Sequence, residues 1–502
     1  MKKILRNRGR AVGIAALAGI GLIVLVMDAR SGFSVRADNR VAAACVNNPV
    51  VTSTADSGPG SFRQAIADAC RGSKITFAVT GDIILTSGEL DIDQDLTIHG
   101  PGAGRLTISG NNTALHVFNI GNVTPAIDVT LSGLKISGGN ADMSGVELNG
   151  GGILNNATGT LTLTGCKISG NRASGRGGGL WNGSGTITIT NSTISKNTTG
   201  RFGGGVLNDD GAQITITDTV MSGNLAMFDG GGAVCNFGTA TIAGCTISRN
   251  NAGNSGGGIF SNSAGVLNVS DTTISDNDTT FGGGIIIDAG TANVANCAIF
   301  GNSASEAGGV FSSGTLNVTN TTITGNSATN FPTGGLLNFS GTTTITNCTI
   351  SGNTVTNSSD GGVFSGGTTN VRNTIIALNT AAFDPDVGAN FTSQGHNLIG
   401  KSDGSTGFSD GVNGDQVGSI ASPLDPELGP LRNNGGTTLS RALRKSSPAI
   451  DAGDDSVLDA PLSLTTDQRG PGFPRKVGVH VDIGAFEFQH KVSTTFRGEN
   501  FN

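Results

Sequence analysis

Between residues 140 and 379 one asparagine returns ten times, at Asn140, Asn171, Asn197, Asn224, Asn250, Asn277, Asn302, Asn326, Asn353 and Asn379, in steps of 24 to 31 residues. Each return closes the same short phrase. In one copy Gly256-Gly257-Gly258 leads into Ile259-Phe260-Ser261, then Val266 to Ser270, then Thr273-Ile274-Ser275 and Asn277. A unit of this length holds three strands of a few residues each and cannot bury an apolar face alone, so successive copies must stack. The fold class expected is all-β, a single-stranded parallel β-helix spanning residues 74–379.

Aligning the copies turns the chain into rows about 4.8 Å apart along the coil axis. One row runs Gly165, Asn191, Asp218, Gly244 and on to Asn373; these residue types tolerate left-handed backbone, so the row predicts a sharp corner. A small inward row follows, from Cys166 through Cys245, Cys297 and Cys348 to Thr374, and two residues on comes an aliphatic row from Ile168 to Ile376. Period-two alternation makes that row core-facing. The closing asparagines predict a ladder of side-chain amides bonded from coil to coil. A second apolar row is expected at Ile153, Leu180, Val206, Ala233 and Ile259.

The composition agrees with many short strands and tight turns: 81 glycines and only 13% charged residues in a chain of 502. Lys2, Lys3, Arg6, Arg8 and Arg10 precede an apolar run from Ala11 to Met27, with small residues around Val35-Arg36-Ala37. This reads as a signal peptide over residues 1–37, with a retained N-terminal anchor as the alternative. Its removal would take the formal charge from −7 to −13 and leave no transmembrane segment in the mature chain. An acidic exported chain is a poor partner for nucleic acid, and the location expected is extracellular or cell-surface.

Of seven cysteines, Cys45 and Cys70 flank the segment 38–73 and are the expected disulfide. The row cysteines lie two or three coils apart, too far to bridge, and read as buried small hydrophobes. Within 38–73, Ser61-Phe62-Arg63-Gln64 is a capping-box pattern opening a short helix, expected to cap the first coil and cover its strand edges. Residues 380–487 lack the repeat and should wrap or cap the far end, leaving a tail at 488–502.

Two families share these patterns. The pairing of Ile168-Ser169-Gly170-Asn171 with Gly177-Gly178-Gly179-Leu180 resembles the repeats of chlamydial polymorphic outer-membrane proteins, exported adhesins on a β-helical passenger. Asp425-Pro426-Glu427-Leu428-Gly429-Pro430, Ser447-Pro448-Ala449-Ile450-Asp451, Asp467-Gln468-Arg469-Gly470 and Asp482-Ile483-Gly484-Ala485-Phe486-Glu487 resemble the choice-of-anchor Q domain of bacterial surface and secreted proteins. These resemblances, with the preference of parallel crossovers, imply a right-handed coil of the pectin-lyase-like type on an exported protein.

That fold also hosts polysaccharide lyases and glycoside hydrolases, which need paired carboxyls or a carboxylate cluster with a base. Asp209, Asp210 and Asp229, with Arg249, are the residues that could be assembled into such a site; charges on a solvated loop are the plainer account. Asp91, Asp93 and Asp95 alternate, which would place three carboxylates on one strand face as calcium requires, or simply make that face polar; no other cofactor is expected. The surface feature of greater interest is the row Leu154, Trp181, Leu207, Val234, Phe260, Ile286, Phe311, Leu337 and Phe364. Strict alternation points it outward as a contact stripe for glycan or a surface protein, with Trp181, Phe260, Phe311 and Phe364 as its aromatic members; a corner that turns both neighbours inward is the other reading. The function expected is non-catalytic adhesion or surface interaction, with cleavage of acidic glycans as the alternative.

Overall fold

The computed structural model describes residues 44–121, 125–143, 146–262, 265–331, 333–357 and 360–489, with the dipeptides 13–14 and 24–25. Apart from those dipeptides, the expected export segment lies outside the described residues, as does the tail from 490 onward.

Each regular coil contains four strands rather than the three expected, because the residues just after the closing asparagine pair as a short strand of their own. Leu180–Asn182 follows the glycines, Thr186–Thr190 is a longer strand, Thr193–Ser195 carries the core isoleucine and Thr198–Thr199 closes the turn. Each pairs in parallel with its counterpart one coil on: Leu180 with Val206, Ile187 with Ile214, Ile194 with Met221 and Thr198 with Leu225. Stacking gives a glycine-led sheet of 13 strands, a long-strand sheet of 14, an isoleucine sheet of 14 and a short sheet of 10. The molecule is a right-handed parallel β-helix of about 13 turns.

Like stacks on like throughout the interior. Ile194, Ile247 and Ile274 are fully buried in one column. At the preceding corner Asn191, Asp218, Asp271 and Asn296 hold φ between +49° and +55°, where short polar side chains pay least for the left-handed conformation. In the small row the Thr219 hydroxyl donates to Thr217 O (2.8 Å) and accepts from Ser192 N (3.2 Å). Cysteine fills the same slot: the Cys245 thiol reaches Ala243 O (3.3 Å). Burial pushes the Cys297 and Cys348 thiols up to about 12, so they stay neutral packing groups.

The amide ladder runs unbroken from Asn171 to Asn379 at 2.9–3.0 Å per rung. Each Nδ2 also donates to an isoleucine-row carbonyl of the previous coil, as Asn224 does to Ile194 O (2.9 Å), and each Oδ1 also takes a backbone N–H, as Asn250 does from Asn224 (3.0 Å). Both protons and both lone pairs are used, which is what makes a fully buried amide tolerable. Two register readings need correction. Asn140 pairs with Arg172 rather than Asn171, so Gly139 holds the ladder position. Val234, not Ala233, stacks between Val206 and Ile259, because the tight turn falls on Gly231 (φ +74°) and Ala233 stands where other coils have a third glycine.

At the N-terminal end the helix α1, Phe62–Asp68, is capped by Ser61, whose Oγ accepts from Gln64 N (3.2 Å). Phe62 packs edge-on against Phe77 and Phe118, over the first coils, and a disulfide joins Cys45 to Cys70. At the other end coiling continues past residue 379 to Gln416–Val417. The chain then turns back as an antiparallel pair, Leu428–Arg432 with Ser440–Leu443, and lies along the outer face of the isoleucine sheet. Asn320 Nδ2 donates to Thr466 O (3.0 Å), Arg441 to Ser351 Oγ (2.9 Å) and Gly484 N to Asn373 O (2.8 Å). It wraps a flank rather than closing an end, and the outward residues under it explain why: Ala298, Thr322, Thr349, Ile375 and Leu398 are all buried, whereas the same column in earlier coils carries Lys135 and Lys167.

The ladder terminates on a carboxylate. Asn379 N and Nδ2 both donate to Asp386 Oδ1 (2.9 Å each), and burial pushes this carboxyl up to about 6 despite those bonds. A folded-state value above the unfolded one favours the protonated native state, so its stabilising contribution is full below about 4 and disappears as pH rises through about 6. Unfolding free energies at pH 5 and pH 7.5 should therefore differ by about 1.4 kcal/mol from this group, the one pH unit of the loss that remains above pH 5, and Asp386→Asn should remove that part of the difference.

Candidate ligand groove on the glycine-led sheet

The middle residue of each glycine-led strand points away from the main core. Trp181, Leu207, Cys235, Phe260, Ile286, Phe311, Leu337 and Phe364 stack in register along the coil axis; Cys235 replaces the expected Val234 for the register reason given above. The row faces outward, yet its centre is covered. Leu207, Cys235, Phe260 and Ile286 are buried in a cluster separate from the main core, packed against Trp181, Phe311, the loop residues Phe202 and Phe237, and Phe281 at the end of the strand Asp278–Phe281. Neither of the two sequence readings described this arrangement. Phe364 stands beyond the cluster, between Leu337 and Gly388.

The preceding glycines set how close the backbone comes. Gly256 has φ +60°, and a Cβ there would fall 2.9 Å from that of Phe260, so the turn packs directly on the row. Trp181 lies over Gly183, where a Cβ would meet its ring at 2.1 Å.

Loops raise the walls on both sides. From the short-sheet side come Phe202, Asp229, Asn254 and Phe281; from the other come Phe237 and Asp288. Between them is a cavity of about 360 Å³ lined by Phe202, Asp229, Phe260, Phe281, Ile286, Asp288 and Phe311. Phe202, Phe237 and Phe260 have centroids 5.5–6.3 Å apart. The Arg176 guanidinium lies 5.9 and 5.6 Å from the Phe202 and Phe237 rings, a cation–π arrangement, and also reaches Asp209 (3.4 Å). Arg201 pairs with Asp229 at 3.0 Å. Further along, Phe311 stacks on the exposed Phe339 at 5.7 Å.

The sequence-predicted residues thus separate. Asp229 and the aromatics Trp181, Phe260 and Phe311 converge on this face. Asp209 sits on its rim with Arg176, and Asp210 is exposed beside it. Arg249 stands at the corner after Thr246–Ser248, on another side of the coil, with φ +55°. Asp91, Asp93 and Asp95 do not share a strand face: the strand Leu90–Ile92 ends before Asp93 and the next begins at Leu96. Asp91 accepts from Asn119 (2.8 Å) and Asp95 pairs with Arg71 (2.7 Å). Among the described residues no group of three or more His, Cys, Asp or Glu side chains is placed to hold a metal ion, and no helix is long and apolar enough to cross a membrane. Sequence reasoning missed Asp288, Phe202, Phe237 and Phe281; the signal available was Phe202 and Phe281 standing immediately before their glycine runs.

The fold defines the class: a family profile described as "Right handed beta helix region" matches residues 178–350. Among solved structures, the chain is similar to pectate lyase Pel9A, at 14% identity and TM-score 0.39, covering 88% of this chain and 97% of that one. It is also similar to the catalytic unit of a thermostable GH87 alpha-1,3-glucanase from Streptomyces thermodiastaticus, at 16% identity and TM-score 0.45, covering 73% and 71%. No curated protein matches the chain in sequence.

Proposed function

We propose that this is an exported surface protein that holds glycan chains, without cleaving them, in the groove along the glycine-led sheet. The observation that carries this reading is a trough whose floor and walls are aromatic while its rim is acidic. The half-buried Phe281 and Phe311, over the buried Phe260, offer rings to the C–H faces of sugars, and Asp229 and Asp288 are acceptors for hydroxyls. The row beneath the groove continues along the coil axis through Leu337 to Phe364, which suits an extended chain better than a small molecule.

One observation favours the rival reading, cleavage of glycans: Asp229 and Asp288 line the same cavity, and glycoside hydrolysis uses two carboxyls facing one bond. A glycan array with the purified chain, followed by reducing-end and unsaturated-product assays on every glycan retained, separates the two. Retention without product is expected. Phe281→Ala and Phe311→Ala should each weaken retention about tenfold, about 1.4 kcal/mol, while circular dichroism shows the coil still folded. Turnover that Asp229→Asn or Asp288→Asn abolishes would establish the rival instead.

A further inference from the structure

The long-strand sheet presents a second and chemically different face. Eight of its 14 strands, consecutive from Thr160–Thr164 to Thr342–Thr346, pair in register with no bulge between them. First, third and fifth residues point outward, giving three columns of eight. Sixteen of those 24 positions are threonine, as in Thr186, Thr188 and Thr190, and none is charged or aromatic. At the chain's 13% of charged residues, about three charges belong on a solvated face of this size, and ordinary surfaces carry more.

The array is regular in both directions and stiff. Neighbouring coils repeat at about 4.8 Å, and outward residues along a strand at about 6.7 Å. Threonine is restricted at χ1 by its branched Cβ, so each hydroxyl and methyl holds its place. Where asparagine replaces threonine in the central column the amides tie to one another: Asn293 Nδ2 donates to Asn268 Oδ1 and Asn317 Nδ2 to Asn293 Oδ1, both at 2.9 Å.

A binding surface for protein would be enriched in aromatic residues, methionine and arginine, and one for a polysaccharide in rings that stack on sugars. This face has neither. It offers an uncharged grid of alternating methyls and hydroxyls, which matches a partner that is itself an uncharged, hydrogen-bonding lattice with spacings of this size. We propose that the long-strand face binds the surface of ice: its methyls cage, and its hydroxyls anchor, water in positions continuous with the crystal, and growth over the adsorbed protein is blocked. The inference stands independently of the glycan groove.

The test is retention of the full chain in slowly grown ice, together with inhibition of ice recrystallisation. The wild type should enter the ice fraction and keep crystals small. Thr188→Lys or Thr241→Lys, each placing one ammonium in the central column, should reduce both effects to the level of an unrelated protein. Thr246→Lys, which adds the same charge to the exposed face of the isoleucine sheet, should retain them. Circular dichroism and melting temperature confirm that each variant is folded. Exclusion of folded wild type from ice, equal loss in Thr246→Lys, or retention on crystalline cellulose in place of ice would each overturn the proposal.

Discussion

Arg475→Ala is expected to detach the C-terminal segment from the flank of the coil, at a cost of about 3–5 kcal/mol. Arg475 is completely buried. Its guanidinium donates to Gly484 O and Asp482 O (2.9 Å each) and to Glu487 Oε2 (3.0 Å). Glu487 in turn accepts from Asp482 N and Val477 N, so one ion pair closes three stretches of chain together. Burial already pushes the Glu487 carboxyl up to about 7 with the arginine in place; without it a buried carboxylate would stand unpaired. The defect should shrink at pH 5, where Glu487 takes up a proton, and Arg475→Ala with Glu487→Gln should recover part of the loss. Limited proteolysis reads this directly, with new cuts between residues 418 and 489 and none in the coil. Cutting spread evenly over both regions, or wild-type resistance, would show that the pair does not fasten this segment.

Asn250→Leu, nearly isosteric, is expected to cost at least about 4 kcal/mol, because several buried groups lose partners worth about 1–3 kcal/mol each. Asn224 loses the acceptor for its N–H (3.0 Å) and its Nδ2 (2.9 Å), Met221 O loses a donor (3.0 Å), and Asn277 Oδ1 loses another (3.0 Å). In a stacked array the damage falls on one interface, so urea unfolding should split into two transitions as the halves on either side of that coil part company. The neighbouring exposed Asn251, replaced by leucine, should shift the midpoint by no more than about 0.5 kcal/mol. A single transition with an unshifted midpoint for Asn250→Leu would mean that the ladder follows from the fold without supporting it.

The C-terminal motifs show how far sequence patterns carry. Their charged residues stand out in the sequence, and the structure gives them packing roles. Arg469 is sandwiched between Phe473 and Phe486, 4.1 and 3.8 Å from their centroids, and pairs with Asp467 at 2.6 Å. Gln468 reaches across 171 residues to Cys297 O (3.0 Å). Nothing in the local sequence announces that partner, because it depends on which coils present small or apolar outward residues.

The sequence by itself determined the coil, its rows and its corners, because identical units can bury their apolar faces only against one another and period-two alternation assigns each side chain to a face. It fixed Ile194 over Met221 and Asn224 under Asn250 in this way. Outside the repeats it reached the Cys45–Cys70 disulfide and the helix at Phe62, and left open the contacts that the loops and the C-terminal segment make. Phe202, Phe237 and Phe281 closing over Phe260, Asp229 and Asp288 lining one groove, and the segment after Val417 lying along the flank are decided by loops and long-range packing. Those contacts obey no period, so only the tertiary structure could reveal them.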